Sequence, residues 1–134
     1  GLGDVYKRQE KGKPFTVRMK VQMHAPIEYP IFALSIKDPK GTEITGTNTM
    51  FEKTDFEVGP IMEISFEQDM NLQGGEYLLS LGCTGYNGTD FTVYHRLYDV
   101  CNITVVSDKN TVGYYDMNSK ITVQTYEGTN ICRK

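Results

Sequence analysis

The chain has 134 residues, 39% of them hydrophobic and 23% charged, so it suits a single globular domain and is too apolar to be intrinsically disordered. Charged residues interrupt the apolar stretches too often for a membrane span of about 20 residues. The 14 basic and 17 acidic side chains give a formal charge of −3, and the absence of a basic run argues against nucleic acid or an anionic membrane as the main ligand.

We interpret the first nine residues as different in origin from the rest of the chain. Asp4-Val5-Tyr6-Lys7-Arg8-Gln9 resembles the translation of a transposase adapter end used in sequencing libraries. We therefore predict that residues 1–9 are not native and that coding sequence upstream of Glu10 is missing. The alternative hypothesis is a short native polar arm.

Period-two alternation dominates the first third of the domain. Residues 15–24 alternate apolar and polar side chains, which predicts a half-buried strand. Two prolines in residues 25–30 end it, and residues 31–38 resume extended structure. Asp38-Pro39-Lys40-Gly41 is typical of a tight turn, with a hairpin strand over residues 42–50.

The middle of the chain predicts strands separated by glycine-rich turns. Residues 51–58 are polar and form a predicted loop before a strand at 60–66. A turn at 71–75 leads to a strand at 76–82. Residues 85–89 are predicted to be a flexible connection.

The C-terminal third is the most β-branched part of the sequence. Residues 91–106 predict two strands bent near 99–101, and residues 121–126 predict a last alternating strand. The domain is therefore expected over residues 10–127, with a polar tail at 128–134. Eight or nine strands without helical periodicity predict an all-β, antiparallel sandwich of the immunoglobulin-like or jelly-roll kind.

Motifs for catalysis or metal binding are scarce. Neither His24 nor His95 belongs to a metal-binding or nucleophile motif, and Cys83, Cys101 and Cys132 lack disulfide or zinc spacing, which favours free thiols in a reducing compartment. We predict no catalytic residue, metal or cofactor. The acidic residues of the middle segment are interpreted as a solvated face, and the alternative is a glycosidase carboxylate pair: Asp55, Glu57, Glu63 and Glu67.

A more promising candidate site lies in the segment predicted to form a late strand. Thr92, Tyr94, Arg96 and Tyr98 are evenly spaced, so a regular strand would place them on one face. Tyrosine rings stack on sugar rings, and arginine donates paired hydrogen bonds to hydroxyl or acidic groups. This face suits a glycan; the alternative is an ordinary solvent-facing set of cross-strand pairs.

Seven segments, in order and spacing, resemble the Wzt C-terminal domain, which belongs to the ATPase subunit of bacterial polysaccharide ABC exporters. They are Glu10-Lys11-Gly12-Lys13-Pro14-Phe15, Ile36-Lys37-Asp38-Pro39-Lys40-Gly41, Gly46-Thr47-Asn48-Thr49, Gly74-Gly75-Glu76-Tyr77, the pair Leu97-Tyr98-Asp99 with Ile103-Thr104-Val105, and Gly113-Tyr114-Tyr115-Asp116-Met117. The similarity extends over about residues 12–126.

The resemblance implies a non-catalytic β-sandwich that recognises a lipid-linked cell-surface polysaccharide, O-antigen or similar, in the cytoplasm at the inner face of the membrane. It also implies an ATP-binding cassette upstream, a membrane permease as partner, and a homodimer, in some members made by exchange of the last strand. Asn48 becomes a candidate sugar ligand, although it could instead cap a strand end. The alternative function is a protein-interaction or adhesion module that binds through an edge strand.

Overall fold

The structure, a computed structural model, describes the backbone of residues 5–24 and 27–127, and their side chains except at residues 5, 6, 87 and 90–100. Over these ranges the chain forms seven strands and no helix: β1 (Val5–Glu10), β2 (Pro14–Gln22), β3 (Tyr29–Lys37), β4 (Glu43–Asn48), β5 (Ile61–Asp69), β6 (Gly75–Asn87) and β7 (Asp90–Val106). No segment in this part of the chain is a helix capable of spanning a membrane.

The strands are arranged in two sheets. The larger sheet has the order β1-β7-β6-β3-β4, and the smaller pairs β2 with β5. Every pair is antiparallel except β1 with β7, which is parallel. The predicted all-β sandwich is confirmed, with seven strands instead of eight or nine and one parallel pair in the otherwise antiparallel arrangement.

The core lies between the two sheets and is built from alternate residues of their strands. On β3, Phe32, Leu34 and Ile36 face inward and are at most 7% exposed. Phe15 and Phe66 face them from the smaller sheet. Other apolar residues of β2 and β5 pack on this core but stay partly exposed, because a two-stranded layer is narrower than the sheet opposite: Val17, Met19, Val21, Met62 and Ile64.

The hairpin between β3 and β4 forms at the predicted turn. The Gly41 backbone N–H donates to the Asp38 carbonyl at 3.0 Å, and Gly41 has a φ of +91°, which favours glycine. The Asp38 carboxylate also accepts the N–H of Thr42 at 2.9 Å. The turn is therefore fixed by both main-chain and side-chain hydrogen bonds.

The long C-terminal strand corrects one prediction. Residues 91–106 are part of a single strand, β7, and not of two. The register shifts between the pairs Leu81–Leu97 and Leu79–Cys101, so the expected bend is an irregularity inside a continuous strand.

The connection predicted at residues 85–89 is also shorter than expected. β6 continues to Asn87, and only Gly88 and Thr89 separate it from β7. Gly88 has a φ of +65°, which suits a two-residue hairpin turn.

The predicted last strand at residues 121–126 is absent. These residues lie outside the seven strands, and Ile121 and Val123 are each 83% exposed. Alternation indicates which side chains would be buried if the segment formed a strand. A strand forms only where the backbone N–H and C=O groups of another strand are available for hydrogen bonds. The predicted tail at 128–134 lies outside the described residues.

Two of the three cysteines confirm the expectation of free thiols. Cys83 is buried and Cys101 half-buried, and neither forms a disulfide. Burial raises the pKa of both thiols, which lowers their reactivity. Cys132 lies outside the described residues.

Candidate functional site

The five-stranded sheet turns its second face away from the core. On β3 this face carries Ala33 and Ser35, and on β6 it carries Ser80 and Gly82. The register joins Asn48, Ala33, Gly82 and Arg96 into one cross-strand row over β4, β3, β6 and β7. Three strand spacings of about 4.8 Å put the ends of this row about 14 Å apart.

A shallow groove of about 490 Å³ follows this face. Its centre is lined by small side chains, so the backbone of the sheet lies close to any molecule in the groove. Polar groups occur along its whole length: Ser35, Lys37, Glu43, Asn48, Ser80 and Thr84. The surface suits a long, hydroxyl-rich ligand better than a compact apolar one.

Glu43 is the one carboxylate among the described residues that line this groove. Glycoside hydrolysis generally needs two carboxyl groups on opposite sides of the scissile bond. The part of the chain that the structure describes also lacks any cluster of three His, Cys, Asp or Glu able to hold a metal ion.

Asn48 has a capping role, which is the alternative to sugar binding that its sequence position predicts. Its Oδ1 accepts the backbone N–H of Phe51 at 2.7 Å, and its carbonyl accepts the N–H of Glu52 at 3.1 Å. Asn48 thus caps the turn that follows β4. Its Nδ2 group has no hydrogen-bond partner among the described residues and lines the groove, so it can donate to a ligand.

The other predicted site residues, Thr92, Tyr94, Arg96 and Tyr98, belong to β7, and their side chains lie outside the described part of the structure. The backbone register nevertheless changes within this run. Thr92 pairs with Gly85 and Arg96 with Gly82, with a shift at Cys83/Thr84 between them. Even spacing therefore does not correspond to regular pairing here, and these residues remain a predicted site.

A second hollow, of about 360 Å³, adjoins the groove near the start of β3. Tyr29 and Tyr86 are cross-strand partners and both line it. The alternation pattern does not reveal them, because Tyr29 belongs to a proline-containing segment that predicts a break between strands. The signal available in the sequence is the period of two that places Tyr29 on the same face as Ile31 and Ala33.

A third hollow, of about 670 Å³, contains an ion-pair cluster that holds the C-terminal segment. We call Lys11, Gln73, Lys109 and Asp116 the tail anchor. Lys11 Nζ lies 2.6 Å from Asp116 Oδ2 and donates to Gln73 Oε1 at 3.0 Å, and Lys109 Nζ lies 3.3 Å from Asp116 Oδ2. Its polar groups satisfy one another, which favours a structural role.

The tail anchor favours the ionised form of the Asp116 carboxylate. Its hydrogen bond with Lys11 is the largest cause that lowers the pKa of Asp116, from an ordinary 3.8 to about 2. The backbone N–H of Asn118 and the ammonium group of Lys109 lower it further. Close by, the Tyr114 hydroxyl donates to Asp38 Oδ2 at 2.6 Å and lowers the pKa of Asp38.

Comparison with known families identifies the relatives of this fold. The family model of the Wzt C-terminal domain matches residues 3–117. The chain belongs to the Wzt C-terminal domain family. A crystal structure of the C-terminal domain of Wzt has the same fold, with a TM-score of 0.78 and 24% sequence identity, and the match covers 87% of this chain and 74% of that one. A search of curated protein sequences finds no match.

Membership of the Wzt C-terminal domain family confirms the resemblance noted in the sequence. It supports a non-catalytic, polysaccharide-binding domain from the ATPase subunit of an ABC exporter. The family match includes residues 3–9, and residues 5–10 form β1.

Proposed function

We propose that this Wzt C-terminal domain binds a lipid-linked cell-surface polysaccharide, O-antigen or similar, and presents it to the permease of an ABC exporter. It acts at the cytoplasmic face of the membrane and breaks no bond in the glycan. The observation that carries the proposal is the shallow, polar groove on the outer face of the five-stranded sheet, in a domain of this family.

Small residues at the centre of the groove allow an extended glycan to approach the backbone of the sheet. Each sugar hydroxyl that exchanges water for a protein group gains only about 1 kcal/mol, so such a site binds through many weak contacts. Asn48 and Arg96, at the two ends of the cross-strand row, belong to the predicted contacts together with Thr92, Tyr94 and Tyr98.

An array of bacterial polysaccharides tests this function directly. Wild type is expected to bind at least one glycan, and Ser35→Trp is expected to weaken that binding by about tenfold or more, because the indole occupies the groove. Glu63→Trp places the same bulk on the exposed surface of the smaller sheet and should bind like wild type. Urea unfolding followed by far-ultraviolet circular dichroism verifies that both variants fold.

Two outcomes would contradict the proposal. The first is that wild type binds no bacterial polysaccharide, and the second is that Ser35→Trp binds as tightly as Glu63→Trp. On the same array, Tyr94→Ala and Arg96→Ala test the side chains predicted from the sequence, since loss of binding in both is expected if they contact the glycan.

We also propose that two copies form a homodimer by exchanging residues 121–126. Two features support this. The segment alternates apolar and polar residues but has no strand partner in its own chain among the described residues. The apolar residues of β2 and β5 that remain partly exposed would gain cover from an added strand. Two linked binding sites would then raise the avidity for a repetitive polymer.

Residues 1–9 remain, on our proposal, a non-native segment, with an ATPase domain upstream of the native sequence. The parallel pairing of β1 with β7 runs from Val5↔Cys101 to Glu10↔Val106 and uses main-chain hydrogen bonds, which many extended sequences can supply. Recovery of the upstream coding sequence tests this proposal, and a nucleotide-binding cassette directly before Glu10 is the expected result.

A further inference from the structure

We infer that Tyr29 and Tyr86 form an aromatic subsite that stacks on an uncharged sugar ring at one end of the groove. This inference rests on the proposed function and adds the chemical class of the sugar. Tyr29 and Tyr86 face each other across β3 and β6 and both line the second hollow. Their register places the two rings on the same face of the sheet.

The aromatic subsite is continuous with the groove. Ile31 is the next outward position on β3 and pairs with Thr84 on β6. Ile31 lines the second hollow and Thr84 lines the groove, so the two hollows meet at this cross-strand pair. Tyr29 and Ala33 are four residues apart on one strand, about 13 Å, which one extended ligand can span.

The hollow has an exposed apolar lining besides the two tyrosines. Phe56 and Val58 line it and are 39% and 42% exposed, so part of their surface is open to a ligand. Tyr29 is 60% exposed, so most of its surface lies in water. A sugar ring has an apolar C–H face and a polar rim of hydroxyls, and such a ligand matches aromatic side chains beside an aliphatic one.

Asp55 gives the hollow an acidic group that disfavours an acidic sugar. It lines the hollow, whose described lining residues include no Lys, Arg or His. Glu28 also lines the hollow, and its carboxylate accepts the backbone N–H of Gly88 at 3.2 Å. A carboxylate such as that of Asp55 accepts hydrogen bonds from sugar hydroxyls but repels uronates and phosphorylated sugars.

A cross-strand tyrosine pair also stabilises a sheet without any ligand, so the test must separate the two roles. Tyr29→Ala and Tyr29→Phe are compared with wild type for binding to neutral polysaccharides, such as mannan and dextran, and to polygalacturonate, together with the bacterial polysaccharides of the array. Tyr115→Ala is the matched control, because Tyr115 is 61% exposed and lies outside both hollows.

We expect wild type to bind a neutral polymer, Tyr29→Ala to bind it about tenfold more weakly, and Tyr29→Phe, which keeps the ring, to stay within about threefold of wild type. Tyr115→Ala should match wild type. Unfolding midpoints in urea show whether loss of binding in Tyr29→Ala reflects loss of fold. Tyr29→Phe removes only the hydroxyl group, so its binding shows whether the ring is the part of the side chain that contacts the sugar.

The remaining results separate this inference from the function on which it rests. If Tyr29→Ala binds as wild type does while Ser35→Trp does not, the groove binds glycan and the aromatic subsite is wrong. If wild type prefers polygalacturonate or another anionic polymer, the assigned sugar class is wrong. If wild type binds no polysaccharide, the proposed function and this inference both fail.

Discussion

Asp116 is 6% exposed and keeps its negative charge because two lysines and a backbone N–H face it. Its pKa of about 2 lies below the ordinary value of 3.8, so folding favours the ionised form. The stabilisation is complete above about pH 4 and is lost as the pH falls toward 2. Acid should therefore loosen the tail anchor as the Asp116 carboxylate takes up a proton.

Substitution of Lys11 by methionine tests this linkage. Lys11→Met removes the main cause of the lowered Asp116 pKa, so we expect lower stability at pH 7 and a weaker loss of stability between pH 4 and pH 2. The free energy of unfolding in urea, measured at several pH values, reports both effects. Lys20→Met removes an exposed lysine of β2 and should preserve the wild-type pH dependence. Parallel pH curves for wild type and Lys11→Met would contradict the prediction.

Individual residues show where sequence patterns stop being informative. The capping role of Asn48 could be foreseen, because asparagine side chains readily bond nearby backbone. Tyr29 could not, since its value as a site residue depends on pairing with Tyr86, which is 57 positions away. The tail anchor joins Lys11 to Asp116 in the same way, across almost the whole domain.

At the scale of elements, the backbones of β3 and β6 lie close together beside the aromatic subsite. A Cβ atom on Gly85 would lie 2.5 Å from the Tyr29 carbonyl oxygen and 3.1 Å from Pro30 Cα. Both contacts are to backbone, so relief requires the strands to separate. Glycine is needed here for the close approach of two strands, and not for a special turn conformation.

Gly85→Ala should therefore destabilise the domain by about 1–3 kcal/mol, the usual cost of forcing an extra group into a packed position. Urea unfolding followed by far-ultraviolet circular dichroism measures the change. Gly59→Ala serves as control, because the nearest atom to its added Cβ would be 4.0 Å away. Equal midpoints for Gly85→Ala and wild type would show that β3 and β6 separate at little cost.

Strand prediction succeeded where alternation and pairing coincide. Residues 15–24 predicted β2 well, because β2 has one apolar face and an antiparallel neighbour along its whole length. Residues 121–126 have an equally regular pattern and form no strand. Along β7, register shifts opposite Leu79–Leu81 and Cys83–Thr84 interrupt an otherwise uniform β-branched run, and no local pattern encodes them.

For the whole molecule, the unequal widths of the two sheets predict self-association. We expect wild type to be a dimer in size-exclusion chromatography with light scattering. Val123→Asp should make it monomeric, because a charge on the apolar face of the exchanged strand opposes burial. Val123 is 83% exposed in the single chain, so the substitution should leave the fold of the monomer intact.

Thr122→Asp is the control for this prediction, since it adds the same charge on the opposite face of the segment. It should remain dimeric. A monomeric wild type, or a dimeric Val123→Asp, would exclude exchange of this segment as the basis of association. The fold class could be predicted from the sequence, because each strand has its own local pattern. The strand partner that residues 121–126 lack could not be predicted, because the pairing of strands depends on all seven together.

The tail anchor has a geometric consequence for any assembly of this domain. Lys11 directly follows β1, the edge strand of the larger sheet, and Asp116 precedes the point at which the chain departs from the sandwich. The end of β1 and the exit of the chain therefore share one corner of the molecule. In a pair of copies joined through their departing segments, that corner would lie next to the seam.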